Sequence, residues 1–218
     1  MKSVLLIGMS KFGQTLGRKL LSMGAEVMIV DKNEDKINLL ASKYTSALVT
    51  DASREDTLSQ LDVTSFDACV VAIGDDFQSS LEITSTLKEL GAKYVISKAT
   101  TLIQKKFLLK NGADEVIYPD IDVAEKVAIK INIEKVYDYA LLNAECSIME
   151  VAVPTKWIGK NIATLEPRRK YEINILAIHK DNKVKAYPDA SYVFGENEHI
   201  LVFGKTEKII EFTNINKK

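Results

Sequence analysis

Val4-Leu5-Leu6-Ile7-Gly8-Met9-Ser10-Lys11-Phe12-Gly13 stands near the start of the chain and decides how the rest is read. Val4 to Ile7 is a short, wholly apolar run, the pattern of a parallel strand buried on both faces. A glycine turn follows at once. Leu16, Leu20 and Met23 then recur at helical spacing, and Gly24 closes that helix. Glu26 to Val30 reads as a second strand, with Asp31 just past its end. Turn amides and a helix N-terminus together make a site for a diphosphate. Asp31 comes eighteen residues after Gly13, about where an acid accepts hydrogen bonds from a ribose.

The turn departs from the dinucleotide pattern Gly-x-Gly-x-x-Gly at one place, where Ser10 holds the second glycine position. That glycine lets a pyrophosphate approach the backbone closely. Serine fits if its φ is negative, and its hydroxyl adds a polar group there. Taken alone, the turn reads equally well as a strand-to-helix connection without a ligand. The surrounding strand, helix, strand and acid favour a nucleotide.

The pattern repeats outward. Asn33 caps a helix from Glu34, with Ile37, Leu40 and Ala41 inward. Ala47 to Val49 is a third strand, followed by Asp51, and Ser53 with Asp56 suggests a capping box for the next helix. Ala68 to Ile73 is the most apolar run and reads as a central fourth strand, followed by Gly74. A helix over 77–90 stops at Gly91. Tyr94 to Ser97 is a fifth strand, with Lys98 at its end. A helix over 102–110 stops near Gly112, and Glu115 to Tyr118 is a sixth strand, ended by Pro119 and Asp120. A last helix is expected from about Ala124 to Glu134. Six strands alternating with helices predict a Rossmann-like α/β domain, a doubly wound parallel sheet in the order 3-2-1-4-5-6. Its ligand belongs at the carboxyl ends of the strands, where the order reverses.

Near Val136 the pattern changes, dividing the chain into 1–135 and a smaller α+β domain at 136–218. Strands are expected at 147–153, 174–179, 183–186 and 199–203, with a hairpin turn at Asp181-Asn182. Short helices are expected near 161–165 and 207–212.

Composition excludes several classes. Of 218 residues, 46% are hydrophobic and 27% charged, with a net charge of -1, so there is no general nucleic-acid footprint. Two cysteines, Cys69 and Cys146, cannot build a disulfide framework, which fits a reducing cytoplasm. Lys2 is followed directly by the first strand, so no secretory leader is expected, and no apolar run is long enough to span a bilayer. The two histidines, His179 and His199, lie in the small domain with no acid at a telling spacing. No P-loop, nucleophile elbow or metal cage is legible. A nucleotide fold without visible catalytic apparatus points to sensing rather than turnover.

Gly8 to Gly13, Asp31, Asp51-Ala52-Ser53, Val71 to Gly74, Ser97-Lys98-Ala99 and Gly112 to Pro119 resemble, in order, the cytosolic subunits of Trk/Ktr potassium uptake systems. These carry an RCK domain with a C-terminal lobe, and the resemblance covers essentially the whole chain. It implies that Gly8, Met9, Ser10, Lys11, Phe12 and Gly13 hold phosphates, Asp31 a ribose and Asp51-Ala52 an adenine edge. Lys32, Ile73, Gly74 and Lys98 complete the implied site. Asp120 matches a family glutamate near a divalent cation but is one methylene shorter. Leu165 to Tyr171 is similar to the segment that binds cyclic di-AMP in some relatives, with Arg168 and Asn174 as implied contacts; a solvated basic turn is the plainer alternative. By resemblance the ligand is ATP/ADP or NAD(H). The partners are a potassium-translocating membrane subunit and further copies of the chain, as a dimer and an octameric ring at the inner face of the membrane. A small NAD-dependent oxidoreductase and a nucleotide sensor with another partner are the competing readings.

Overall fold

The computed structural model describes residues 1–132, 136–143, 145–181 and 183–214. The chain divides into two compact units, Met1–Asp122 and Val123–Lys218.

In the first unit β1 (Ser3–Ile7), α1 (Lys11–Ser22), β2 (Glu26–Asp31), α2 (Glu34–Leu40), β3 (Ser46–Val49), α3 (Glu55–Ser59), β4 (Ala68–Val71), α4 (Phe77–Glu89), β5 (Val95–Lys98), α5 (Leu102–Lys110) and β6 (Glu115–Ile117) alternate. The strands form one parallel sheet in the order β3-β2-β1-β4-β5-β6. This is the doubly wound order the apolar runs predict. β1 alternates its residues between the two faces, as strand geometry requires. Leu5 and Ile7 pack with Val71, Ile83, Leu87 and Val95. Val4 and Leu6 pack with Val27, Ile29, Ile37 and Leu40. Both faces are therefore covered by helices, and β1 is paired along both edges.

Several boundaries differ from the sequence reading. β4 ends at Val71 rather than Ile73, because Ala72 to Asp76 turn away as the loop into α4, which Asp76 caps through Ser79. The capping box at Ser53 and Asp56 does not form. Asp51 instead accepts from both the amide and hydroxyl of Ser53, and Asp56 pairs with Arg54. Pro119 does not end a strand but opens α6 (Pro119–Asn132), its fixed φ suiting the first helical position. Asp120 thus lies in that helix's first turn. The expected helix end at Glu134 lies outside the described residues.

The second unit is an antiparallel sheet of β7 (Val136–Leu141), β8 (Cys146–Ala152), β9 (Ile173–Lys180), β10 (Lys183–Ala186) and β11 (His199–Lys205), in the order β10-β9-β11-β8-β7. Short helices α7 (Ile162–Leu165) and α8 (Pro167–Tyr171) and the terminal α9 (Thr206–Thr213) accompany it. The sequence reading missed β7, whose Val136 and Tyr139 are buried at three-residue rather than two-residue spacing because a bulge interrupts its pairing. It also missed α8, which follows a left-handed Glu166 and ends at a left-handed Glu172. The hairpin between β9 and β10 is formed; Asn182 of its expected turn lies outside the described residues.

Trp157 is 1% exposed at the centre of this unit's core, with ring centroids 4.9 Å from Phe212, 5.4 Å from Phe194 and 5.6 Å from Tyr171. Trp157→Ala is expected to cost about 3–5 kcal/mol, the usual penalty for emptying an aromatic site. Urea denaturation of the full chain, followed by far-ultraviolet circular dichroism, measures it.

Candidate functional site

The site is built where β1 and its neighbours part. Gly8 leaves the strand at φ +90°, and a Cβ there would stand 2.8 Å from Ile73 Cγ1, so neither the turn nor the loop after β4 could keep its place. The Met9 amide donates to Asp31 Oδ2 at 2.6 Å, and the Asn33 amide donates to Asp31 Oδ1 at 2.9 Å. Asp31 therefore ties the glycine turn to the end of β2, and its side chain is only 10% exposed. Lys36 Nζ lies 3.8 Å from the same carboxylate.

A cavity of about 530 Å³ opens above this turn. Gly8, Ser10, Lys11, Phe12, Asp31, Lys32, Asp51, Ala52, Ile73, Gly74 and Lys98 all line it. Two residues of the expected set do not. Met9 is fully buried, pointing its side chain into the core, and Gly13 is buried where a Cβ would collide with Gly8 O. Both hold the turn's shape instead. Asp120 is exposed in α6 and lies outside the lining.

The cavity also recruits residues that the sequence reading passed over: Lys36, Thr50, Asp75, Asp76 and Ser79 among them. Asp75 and Asp76 lie in the loop after β4, and Asp76 with Ser79 three residues on is a helix-start signal that could have marked them. Lys36 gave no such signal, being one turn into a helix. The hydroxyl and amide of Ser53 hold the Asp51 carboxyl below its ordinary range, with Lys32 and Arg54 adding to the effect against a smaller cost of burial. The Asp76 carboxyl is lowered chiefly by the Ser79 amide and hydroxyl, and Lys32 adds to it. Lys32 thus adds its charge to two carboxylates that line the same cavity. Lys98 brings its ammonium over Gly74, within 3.4 Å of where a Cβ would sit.

In the second unit a cavity of about 420 Å³ is lined by Ile162, Ala163, Pro167, Arg168, Ile175 and Pro188, among others. Arg168 also borders an adjoining depression with Glu172 and Asn174. Arg169 and Lys170 pair with Glu166, whereas Arg168 makes no ion pair among the described residues. The histidines do have an acid after all. His179 Nδ1 and His199 Nδ1 lie 3.1 and 3.2 Å from Glu150 Oε1, because β9, β11 and β8 are sheet neighbours far apart in sequence. Among the described residues no group of three His, Cys, Asp or Glu side chains is arranged to hold a metal ion. No described helix is long and apolar enough to cross a membrane.

The TrkA-N domain family matches residues 4–119, and the TrkA-C domain family matches residues 147–217. The chain belongs to the TrkA family. Two relatives from Bacillus subtilis (strain 168), Ktr system potassium uptake proteins C and A, are each 35% identical to this TrkA-family chain. Protein C matches over 97% of this chain and 96% of its own length; protein A matches over 98% and 96%. The solved GsuK channel bound to NAD shares the fold, with a TM-score of 0.68 at 18% identity, over 97% of this chain and 39% of that one. This TrkA-family chain thus spans about two-fifths of the channel polypeptide.

Removing the Asp31 carboxylate frees two amides at once. Asp31→Ala is expected to speed hydrogen exchange at Met9 and Asn33 by about tenfold or more, while Gly24 at the far end of α1 keeps its rate. Exchange followed by mass spectrometry on the ligand-free protein reads the difference.

Proposed function

We propose that this chain is the cytosolic regulatory subunit of a potassium-uptake system, and that an adenine nucleotide in the first unit's cavity sets the conductance of a membrane partner. The observation that carries this is the convergence of the glycine turn, Asp31, Asp51 and Lys98 on one cavity at the carboxyl ends of the strands, between β1 and β4. That is where open α/β sheets take their ligands. The volume suits a nucleotide. Near full-length relatives named as potassium uptake proteins favour regulation over the oxidoreductase reading.

In this proposal residues 1–135 form the nucleotide lobe and 136–218 the second lobe. Asp31 takes the ribose and the turn takes the phosphates. ATP and ADP occupy the same cavity but favour different conformations of a ring of subunits, an octamer by family likeness. Exposed apolar side chains on α5 and α6, including Leu102, Ile103, Val127 and Ile131, supply surface for self-association. A divalent cation near Asp120 belongs to the same proposal.

A ligand shifts a conformational equilibrium only by its differential affinity for the two states. ATP and ADP differ only in the third phosphate, so its contacts must supply that difference. Lys11 and Lys98 are the candidate cations. A charged contact of about 1.5–3 kcal/mol made in one state only changes the ratio of states roughly ten- to a hundredfold per site. Lys11→Ala is therefore expected to reduce the effect of ATP on potassium flux into vesicles carrying the membrane partner, with ADP binding largely kept. Equal flux with ATP, with ADP and with neither would sink the switch.

A second ligand reading rests on the cavity beside α8. Arg168, without an ion-pair partner among the described residues, sits over an apolar floor of Ile162, Ile175 and Pro188. That combination suits an aromatic base joined to a phosphate. We infer cyclic di-AMP, held across a two-fold axis so that each half meets the same residues. Arg168→Ala is expected to weaken its binding by about 1.5–3 kcal/mol in calorimetry. An unchanged affinity would remove the assignment.

A further inference from the structure

Ser10 is where the chain departs from the glycine pattern, and its side chain is fully engaged. Its backbone is extended, at φ -65° and ψ 172°. Its hydroxyl donates to Ala72 O at 2.7 Å and accepts from the Gly13 amide at 3.3 Å. The place of that first bond matters. The ladder between β1 and β4 ends with Ile7 opposite Val71, and the Ala72 amide donates to Ile7 O at 2.7 Å. One residue further, β1 has become the glycine turn and has no amide to offer Ala72 O. The Ser10 hydroxyl takes the missing amide's place, extending the β1–β4 pairing by one side-chain rung into the floor of the crevice.

The same hydroxyl acts on the donors that face the cavity. As N-cap it occupies the Gly13 amide, one of the free N–H groups at the start of α1. The Lys11 and Phe12 amides take no partner among the described residues, and both residues line the cavity. Two cavity walls meet at Ser10: the turn at 8–12, and the loop from Ala72 to Asp76 that leads into α4. Gly8 packs against that loop too closely to admit a Cβ, which would stand 2.8 Å from Ile73 Cγ1, and a Cβ on Gly13 would come within 3.2 Å of Ala72 Cβ, so the two walls are in close contact on either side of the Ser10 bond.

We propose that Ser10 is a positioning residue for phosphate: its hydroxyl fixes the glycine turn to the loop after β4 and so aims the Lys11 and Phe12 amides. This rests on the nucleotide reading above. It differs from a phosphate contact by Ser10 itself, because the hydroxyl proton is spent on Ala72 O. The role is confined to the phosphate end of the ligand. Ribose and base fall to Asp31 and Asp51, which make no hydrogen bond with Ser10 among the described residues.

The test compares ADP with adenosine on the full chain, by calorimetry and competition, for the native protein, Ser10→Ala and Ser10→Gly. Both variants lack the hydroxyl, and glycine is the residue the fingerprint calls for, so at least one is expected to fold. Loss of the rung should weaken ADP about three- to tenfold, the worth of one ordinary hydrogen bond. Adenosine affinity should stay within about twofold of native. A general loosening of the structure would weaken both ligands alike. If ADP and adenosine fall together, or ADP is unchanged or tightened in either folded variant, Ser10 does not position phosphate. If the native protein binds neither ADP nor NAD, the nucleotide reading itself fails, and the inference falls with it.

Discussion

β1 is buried on both faces and paired on both edges, so the chain leaving it has almost no choice of path. It must clear two neighbouring strands and the helices over them within a few residues. A left-handed Gly8 does this, and α1 starts at Lys11, three residues later. The bond from Met9 to Asp31 then fixes how far the turn leans towards β2. The crevice is the geometric remainder of these constraints.

The charges are distributed along that crevice in the order of the strands. Asp31 and Asp51 end the β2 and β3 side, while Lys98 ends β5 on the other. Four lysines and four aspartates line the cavity, so its wall carries no formal excess of either sign. Phosphate recognition there must come from where amides and ammonium groups point, not from bulk positive potential. This places weight on the rigidity of the turn. An amide turned away from its acceptor loses much of its value, since hydrogen bonds weaken steeply once the angle falls below about 120°.

Much of the first unit was legible because its physics is local. A strand buried on both faces has to be apolar throughout, and Val4 to Ile7, Ile29 and Val30, and Cys69 to Val71 are. Residues after such strands fall at the carboxyl edge wherever the sheet is parallel, which is why so many line one cavity. Legibility failed where one residue serves two masters. Pro119 reads as a strand stop or as a helix start, and only the pairing of β6 decides. Ser53 reads as a cap, but Asp51 is nearer and more acidic. The second unit was harder. A bulge breaks the alternation of β7, and α8 is too short for a helical period to register. The Glu150 pairing with His179 and His199 was invisible because it crosses three strands, and no spacing along the chain encodes sheet adjacency.

The order β3-β2-β1-β4 has a consequence for how the protein is made. β1 and β2 emerge early from the ribosome and can pair at once, leaving the other edge of β1 open. Its partner β4 begins only at Ala68, well after β2 ends at Asp31, and the Ser3 amide meets Asp67 across a separation of 64. Until then a strand from the middle of the sheet exposes one row of unpaired amides and carbonyls to solvent. Such nonlocal pairing is slow, and an open strand edge is the usual starting point for misassembly. The helix α1 and the early α2 cover one face in the interval, but neither covers the edge. Synthesis of this chain therefore passes through a window in which its organising strand is half-solvated, and variants that delay β4 will act first on yield in the cell rather than on the finished protein.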